Sequence, residues 1–182
     1  MLVGSMCIAF AARTNQKKNI GLIREMKTPS EGRSAIDTVP QTYFITAPEG
    51  WTQKDELVAG VKHTQINSPD DGPGDDFTEN INVNAEAAKG YDSKTYAEAN
   101  LGEIRKGVPG VEITDLGESM IGDLHAECYI YSFTYSGRDL KDLAWYVAKN
   151  DVGYVITCTA LKSTFDRFES KFKTCASSFE IK

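Results

Sequence analysis

The chain has 182 residues, 41% of them hydrophobic, which is enough for one domain with a sizeable core. A net charge of −6 and an isoelectric point near 5.0 argue against a general binder of nucleic acid or anionic membrane. Either would need a basic surface to offset phosphate charge, although a local basic patch stays compatible with these totals. No run approaches the roughly 18 apolar residues of a membrane-spanning helix, so no transmembrane segment is expected.

Met1 to Ala12 (M-L-V-G-S-M-C-I-A-F-A-A) is apolar, ends in the small-residue pattern Ala9-Phe10-Ala11, and precedes the polar run Arg13 to Lys18. It reads as a signal-peptide remnant. The positively charged n-region is missing, which leaves two readings open: a misplaced start with residues lost upstream, or a short apolar tail with no export role. Export is the favoured one. Lipidation at Cys7 is not expected, because Met6 stands where a lipobox wants a small residue. Residues 13–41 are basic at first, then rich in Thr, Pro, Ser and Gly, and read as a linker or loosely attached arm.

The folded domain is expected over 42–182. Tyr43 to Thr46 reads as a short strand, and Pro48-Glu49-Gly50-Trp51 as a turn closed by an aromatic. Leu57 to Asn67 gives a second, weaker strand. Ser68 to Asp76 (S-P-D-D-G-P-G-D-D) is a surface loop, and Asn80 to Ala85 alternates as a third strand. Tyr91 to Gly107 is the first clear helix: Asp92 or Ser93 can cap it, Ala97, Leu101, Ile104 and Val108 form its apolar stripe, and Gly107 with Pro109 stops it. Glu112 to Leu116 and Glu118 to Ile121 form one bent strand or two short ones.

The segment from Ala126 to Phe179 organises the fold. Glu127 to Tyr135 alternates strictly, with Tyr129, Tyr131, Phe133 and Tyr135 on one face and Cys128, Ile130, Ser132 and Thr134 on the other. The break Ser136-Gly137-Arg138-Asp139 and the turn Asn150-Asp151 flank a strand over Leu140 to Lys149 carrying Leu143, Trp145 and Val147 in period two. Tyr154 to Ala160 is β-branched and apolar on both faces, the mark of a central, doubly covered strand. Phe165, Phe168, Phe172, Cys175 and Phe179 then recur at steps of three or four, which predicts a helix docked on the sheet, with Ser163 as N-cap. An antiparallel meander with one helix inserted midway and one at the end is an α+β domain with helices covering the sheet.

The order of A-P-E-G-W (Ala47 to Trp51), I-N-V-N, S-K-T-Y-A-E-A-N-L (Ser93 to Leu101), G-D-L-H-A-E, Y-V-I-T-C-T-A and the final F-x-x-F-x-x-x-F-x-x-C-x-x-S-F resembles the PsbP-like superfamily. Its DcrB-like and LpqN-like bacterial branches are the nearest in character, and the resemblance spans Thr42 to Lys182. It implies an α/β/α sandwich around a twisted antiparallel sheet, with helices on both faces. The matching motifs are turn and core positions, so the resemblance carries no active site with it.

Cys7, Cys128, Cys158 and Cys175 include no C-x-x-C, and neither His63 nor His125 stands at metal-ligand spacing from them. Cys128 and Cys158 fall on strands about 10 Å apart, beyond the roughly 7 Å Cα limit for a disulfide. Cys158 and Cys175 face each other across helix and sheet and form the one candidate bridge, with buried free thiols the favoured state. His125 precedes Cys128 by three positions, which points the two side chains to opposite faces of a strand. No Walker loop, G-x-G-x-x-G, G-x-S-x-G or H-E-x-x-H is present. Asp70, Asp71, Asp75, Asp76 and Glu79 offer hard oxygen ligands suited to calcium or manganese or to a basic protein surface. The spacing fits no EF-hand, so a solvated acidic loop is the favoured reading and no cofactor is expected beyond such a cation.

These features point to a non-enzymatic, periplasmic or secreted binding or accessory module with an unidentified protein partner. The alternative is a cytoplasmic secretion chaperone or adaptor for a hydrophobic client segment, as the resemblance to small PsbP-like proteins tied to effector secretion implies. An enzyme built on Cys128, His125 and the acidic loop ranks third.

Overall fold

The computed structural model describes residues 43–58 and 61–182, so the signal-like segment, the arm and Cys7 lie outside the described residues. In chain order the elements are β1 (Tyr43–Phe44), β2 (Thr52–Val58), β3 (Val61–Asn67), β4 (Asn80–Ala87), α1 (Ser93–Gly107), β5 (Glu112–Ile121), β6 (Leu124–Tyr135), β7 (Arg138–Lys149), β8 (Val152–Leu161), α2 (Phe165–Ser177) and β9 (Glu180–Ile181). Seven strands form an antiparallel sheet in the order β2-β3-β4-β8-β7-β6-β5. β8 is buried along nearly its whole length at the centre of that order, as its two-faced apolar sequence requires.

Tight turns set the register of the long hairpins. Ser136 (φ 51°) with Gly137 (φ 78°) joins β6 to β7, and Asn150 (φ 52°) with Asp151 (φ 62°) joins β7 to β8. Two successive positive-φ residues twist the way paired strands twist, and Asn and Asp tolerate that conformation better than other side chains.

Alternation along the strands divides the core in two. Leu143, Trp145 and Val147 of β7 with Tyr154, Ile156 and Cys158 of β8 join the cluster that holds Phe165, Phe168 and Phe172 of α2. Ala144 and Tyr146 of β7 with Val155 of β8 join the cluster that holds Tyr96, Ala97, Leu101 and Ile104 of α1. Neighbouring residues of a strand point to opposite sides, so the two clusters occupy opposite faces of the sheet. Each buried phenylalanine of α2 contributes roughly 1.5–3 kcal/mol of burial, which is ample to dock a thirteen-residue helix.

α1 is positioned by two specific contacts. The Asp92 carboxylate accepts from the Thr95 backbone N–H at 2.8 Å, capping the helix. Tyr96 lies over β8 so closely that a Cβ on Gly153 would stand 2.3 Å from its Cζ, while its hydroxyl donates to Glu86 Oε1 at 2.7 Å.

Three expectations need correction, over the second strand, the cap of the last helix and Phe179, and two others are made definite. The second strand does not begin at Leu57: Leu57 belongs to β2 and pairs with Lys62 of β3. β2 escapes a hydrophobic pattern because T-Q-K-D-E-L is exposed on a sheet edge. α2 is capped at Thr164, with no side-chain cap bond, in place of Ser163. Phe179 lies beyond the end of α2, buried against Tyr43 and Tyr154 at ring distances of 5.4 Å each, where β9 pairs with β1 in a second, two-stranded sheet. Gly107 is the last residue of α1, and Val108 forms its C-cap. The segment 112–121 is one bent strand, kinked by a bulge between Asp115 and Gly117.

Candidate functional site

The β5–β6 hairpin turns at Gly122-Asp123, and its register sets Glu118 opposite Glu127, Asp115 opposite Tyr129, and Met120 opposite His125. The first turns of α1 stand over this end of the sheet. Ser93 fixes the approach, because its hydroxyl donates to the His125 carbonyl at 2.9 Å and accepts from the Ala148 N–H at 3.0 Å. A groove of about 710 Å³ lies between these elements.

Six carboxylates line it: Asp92, Glu98, Asp115, Glu118, Asp123 and Glu127. Only Lys94 and Lys149, with His125, oppose them in charge. His125 Nδ1 lies 3.2 Å from Glu118 Oε1, both side chains being exposed. Like charges directly opposite on paired strands destabilise a sheet, so the Glu118–Glu127 pair is a local cost that folding alone does not explain. Partial burial, followed by the Glu118 and Asp115 charges, raises the Glu127 carboxyl above the usual carboxylate range. The Asp92 carboxyl is lowered instead, by the Thr95 hydrogen bonds of its cap. A concave, anionic surface of this kind suits a cationic guest.

The acidic loop predicted from sequence is arranged differently. Asp70 Oδ1 accepts from Gly72 N at 2.8 Å, and Asp75 accepts from Asp71 N at 2.9 Å and from Phe77 N at 3.2 Å. Asp76 pairs with Arg138 at 3.4 Å and Asp71 with Arg167 at 3.7 Å. Glu79 is buried and accepts from Ser68 Oγ at 3.0 Å; burial raises its carboxyl. The structure thus turns these carboxylates toward backbone amides, arginines and a serine. Among the described residues no group of three or more His, Cys, Asp or Glu side chains converges as metal ligands.

The remaining sequence candidates are also dispersed. Cys128 joins the α2-side core whereas His125 lines the groove, so the two stand on opposite faces, as their spacing implies. His63 Nδ1 meets Asn84 Oδ1 at 2.7 Å on β3, four strands from β6 in the sheet order. Cys128, Cys158 and Cys175 are buried free thiols, so the candidate Cys158–Cys175 bridge is not formed. Both sulfurs lie in the apolar layer between α2 and the sheet, where packed layers normally stand about 10 Å apart. Burial pushes Cys128 and Cys175 up to about 12, which leaves almost no thiolate at neutral pH.

Asp142 escaped notice in the sequence. It lies on β7 between Tyr131 and Thr159, is 1% exposed, and its Oδ1 has no hydrogen-bond partner. Burial pushes it up to about 7, partly offset by a hydrogen bond from Thr159. The available signal was an aspartate inside the otherwise apolar run D-L-A-W-Y-V.

No family model and no curated protein sequence matches the chain. Solved structures do. LpqN of Mycobacterium tuberculosis, described as involved in cell envelope biogenesis, aligns with a TM-score of 0.58 at 15% identity over 80% of this chain and 87% of its own. A Pseudomonas aeruginosa protein of unknown function, described as a putative regulator, aligns with a TM-score of 0.53 at 16% identity over 76% of this chain and 94% of its own. Cyanobacterial PsbP from Synechocystis aligns at 14% identity over 85% of this chain and all of its own, with a TM-score of 0.49. With its seven-stranded antiparallel sheet, its two helices and this likeness, the chain shares the fold of LpqN.

Proposed function

We propose that this chain is a non-enzymatic, extracytoplasmic binding or accessory module, an α/β/α sandwich whose acidic groove holds a basic segment of a partner protein. The observation that carries this reading is the concentration of six carboxylates against two lysines in one concavity, with Glu118 set directly across from Glu127. A basic guest would relieve that repulsion on binding, which is why the pair is tolerated. Placement outside the cytoplasm draws on the signal-like Met1 to Ala12 and on the role in cell envelope biogenesis described for LpqN. The absence of chemistry draws on the protonated, buried thiols and on the separation of His125 from Cys128. A hydrophobic client segment suits the groove poorly, since it would strip water from carboxylates without pairing them.

The test is a fluorescence-anisotropy titration with a lysine-rich peptide and with a glutamate-rich peptide of equal length. The lysine peptide should bind, with an affinity that falls steeply between low and physiological salt. Equal binding of both peptides, or none by either, would remove this reading.

A further inference from the structure

Among the described residues β5 ends the sheet and is hydrogen-bonded to β6 on one side only. Its outward backbone groups therefore form an open edge, the usual template for an added strand. The strand reads E-I-T-D-L-G-E-S-M-I, with no proline or lysine to block pairing. Leu116 and Met120 are 48% and 51% exposed on it. The other edge, β2, differs, because Lys54 pairs with Glu56 within the strand and Asp55 pairs with Lys62 of β3 at 3.0 Å. Its charges are already matched, whereas β5 carries three acids and no cation.

The bulge at Leu116 is held by Asp115 Oδ1, which accepts from Gly117 N at 2.7 Å, with Gly117 at φ 80°. It divides the edge into Glu112 to Asp115 and Gly117 to Ile121, and the second run borders the groove through Glu118. A second copy of this edge is a poor occupant. Antiparallel self-pairing about the bulge would set Asp115 against Glu118, and β5 supplies no cation to offset them.

We infer that β5 accepts an extended basic segment of a partner protein as an eighth strand, paired along Glu118 to Ile121. This rests on the reading of the groove as a cation-binding surface and adds the mode of recognition. Glu118 and Met120 lie two apart and share a face, so the guest should carry a lysine or arginine and an apolar residue two positions apart on its own matching face. The basic side chain then reaches into the groove while the apolar one covers Met120.

The test uses a nine-residue peptide alternating lysine and valine on one face, its twin N-methylated on alternate amides, and a glutamate-for-lysine twin. The readouts are affinity and amide hydrogen exchange of the whole protein. Strand addition predicts that the first peptide slows exchange within Glu118 to Ile121, and that the N-methylated twin, with identical side chains, binds roughly tenfold more weakly. If both lysine peptides bind equally and β5 amides stay unprotected, strand addition is wrong while the groove reading stands. If neither binds, both fall. Protection of the β5 amides in concentrated, peptide-free protein would assign the edge to a second copy and overturn the inference, as would equal binding of the glutamate twin.

Discussion

Replacing Asp142 by asparagine should stabilise the protein at alkaline pH and leave it nearly unchanged in acid. The carboxyl is 1% exposed, its Oδ1 has no partner, and burial pushes it from 3.8 up to about 7. A carboxyl raised in the folded state binds its proton more tightly than in the unfolded chain. Its neutral form is therefore fully tolerated below the unfolded value, and stability is lost as pH rises from about 4 to about 7. At 1.36 kcal/mol per pH unit, the rise from 3.8 to about 7 gives an upper bound of about 4 kcal/mol for the cost of ionising Asp142 in place. Asparagine removes that cost while keeping an oxygen to accept from Thr159. Its amide nitrogen is a buried donor without an acceptor, a cost of about 1–3 kcal/mol, but the O–H of the neutral carboxyl is one too, so this cost is common to both proteins in acid and cancels from the comparison. The net gain should approach about 4 kcal/mol at pH 8 and be close to zero near pH 4. Urea unfolding of both proteins at intervals from pH 4 to pH 8 measures this directly. A wild-type protein whose stability rises over this range relative to the variant, or a variant less stable at pH 8, would refute the reasoning.

Gly153→Ala should cost about 1–3 kcal/mol by forcing the Tyr96 ring away from β8. Calorimetry should show the Gly153→Ala/Tyr96→Ala double variant losing less than the sum of the two single variants, because without the ring the alanine Cβ meets nothing. Cys128, Cys158 and Cys175 should resist alkylation of the native protein at pH 8 and react within minutes in denaturant. Mass spectrometry with iodoacetamide checks this, and rapid native labelling would contradict the burial of all three. Phe172→Ala should destabilise by about 3–5 kcal/mol in urea titrations, because its ring is fully buried among Trp51, Phe165 and Phe168.

The long elements were legible because local chemistry and tertiary environment agree in them. β8 is apolar on both faces and lies at the sheet centre; α2 shows one phenylalanine stripe and buries it; the turns at Ser136-Gly137 and Asn150-Asp151 announce their hairpins. Edge strand β2 was obscured because solvent on its exposed positions imposes no alternation, and the two-residue strand β9 is too short to carry a period. The aspartate-rich loop stood out through composition, yet its charges serve its own turns and nearby arginines. The groove was hidden for the opposite reason. Its carboxylates are scattered over α1, β5 and β6, and only the register about Gly122-Asp123 reveals that Glu118 faces Glu127. Asp142 shows the same limit, since its burial is set by its neighbours across β6 and β8 and not by its own polarity.

The Glu118→Gln/Glu127→Gln double variant, followed for stability and for binding side by side, decides whether the groove is a cation-binding surface. Removing two opposed charges should stabilise the sheet by about 0.2–1 kcal/mol. The same change should weaken binding of the lysine-rich peptide roughly tenfold, about 1.4 kcal/mol, and flatten its salt dependence. A variant that is more stable and binds less well is the predicted result; one that binds the peptide as tightly as the wild type would contradict it.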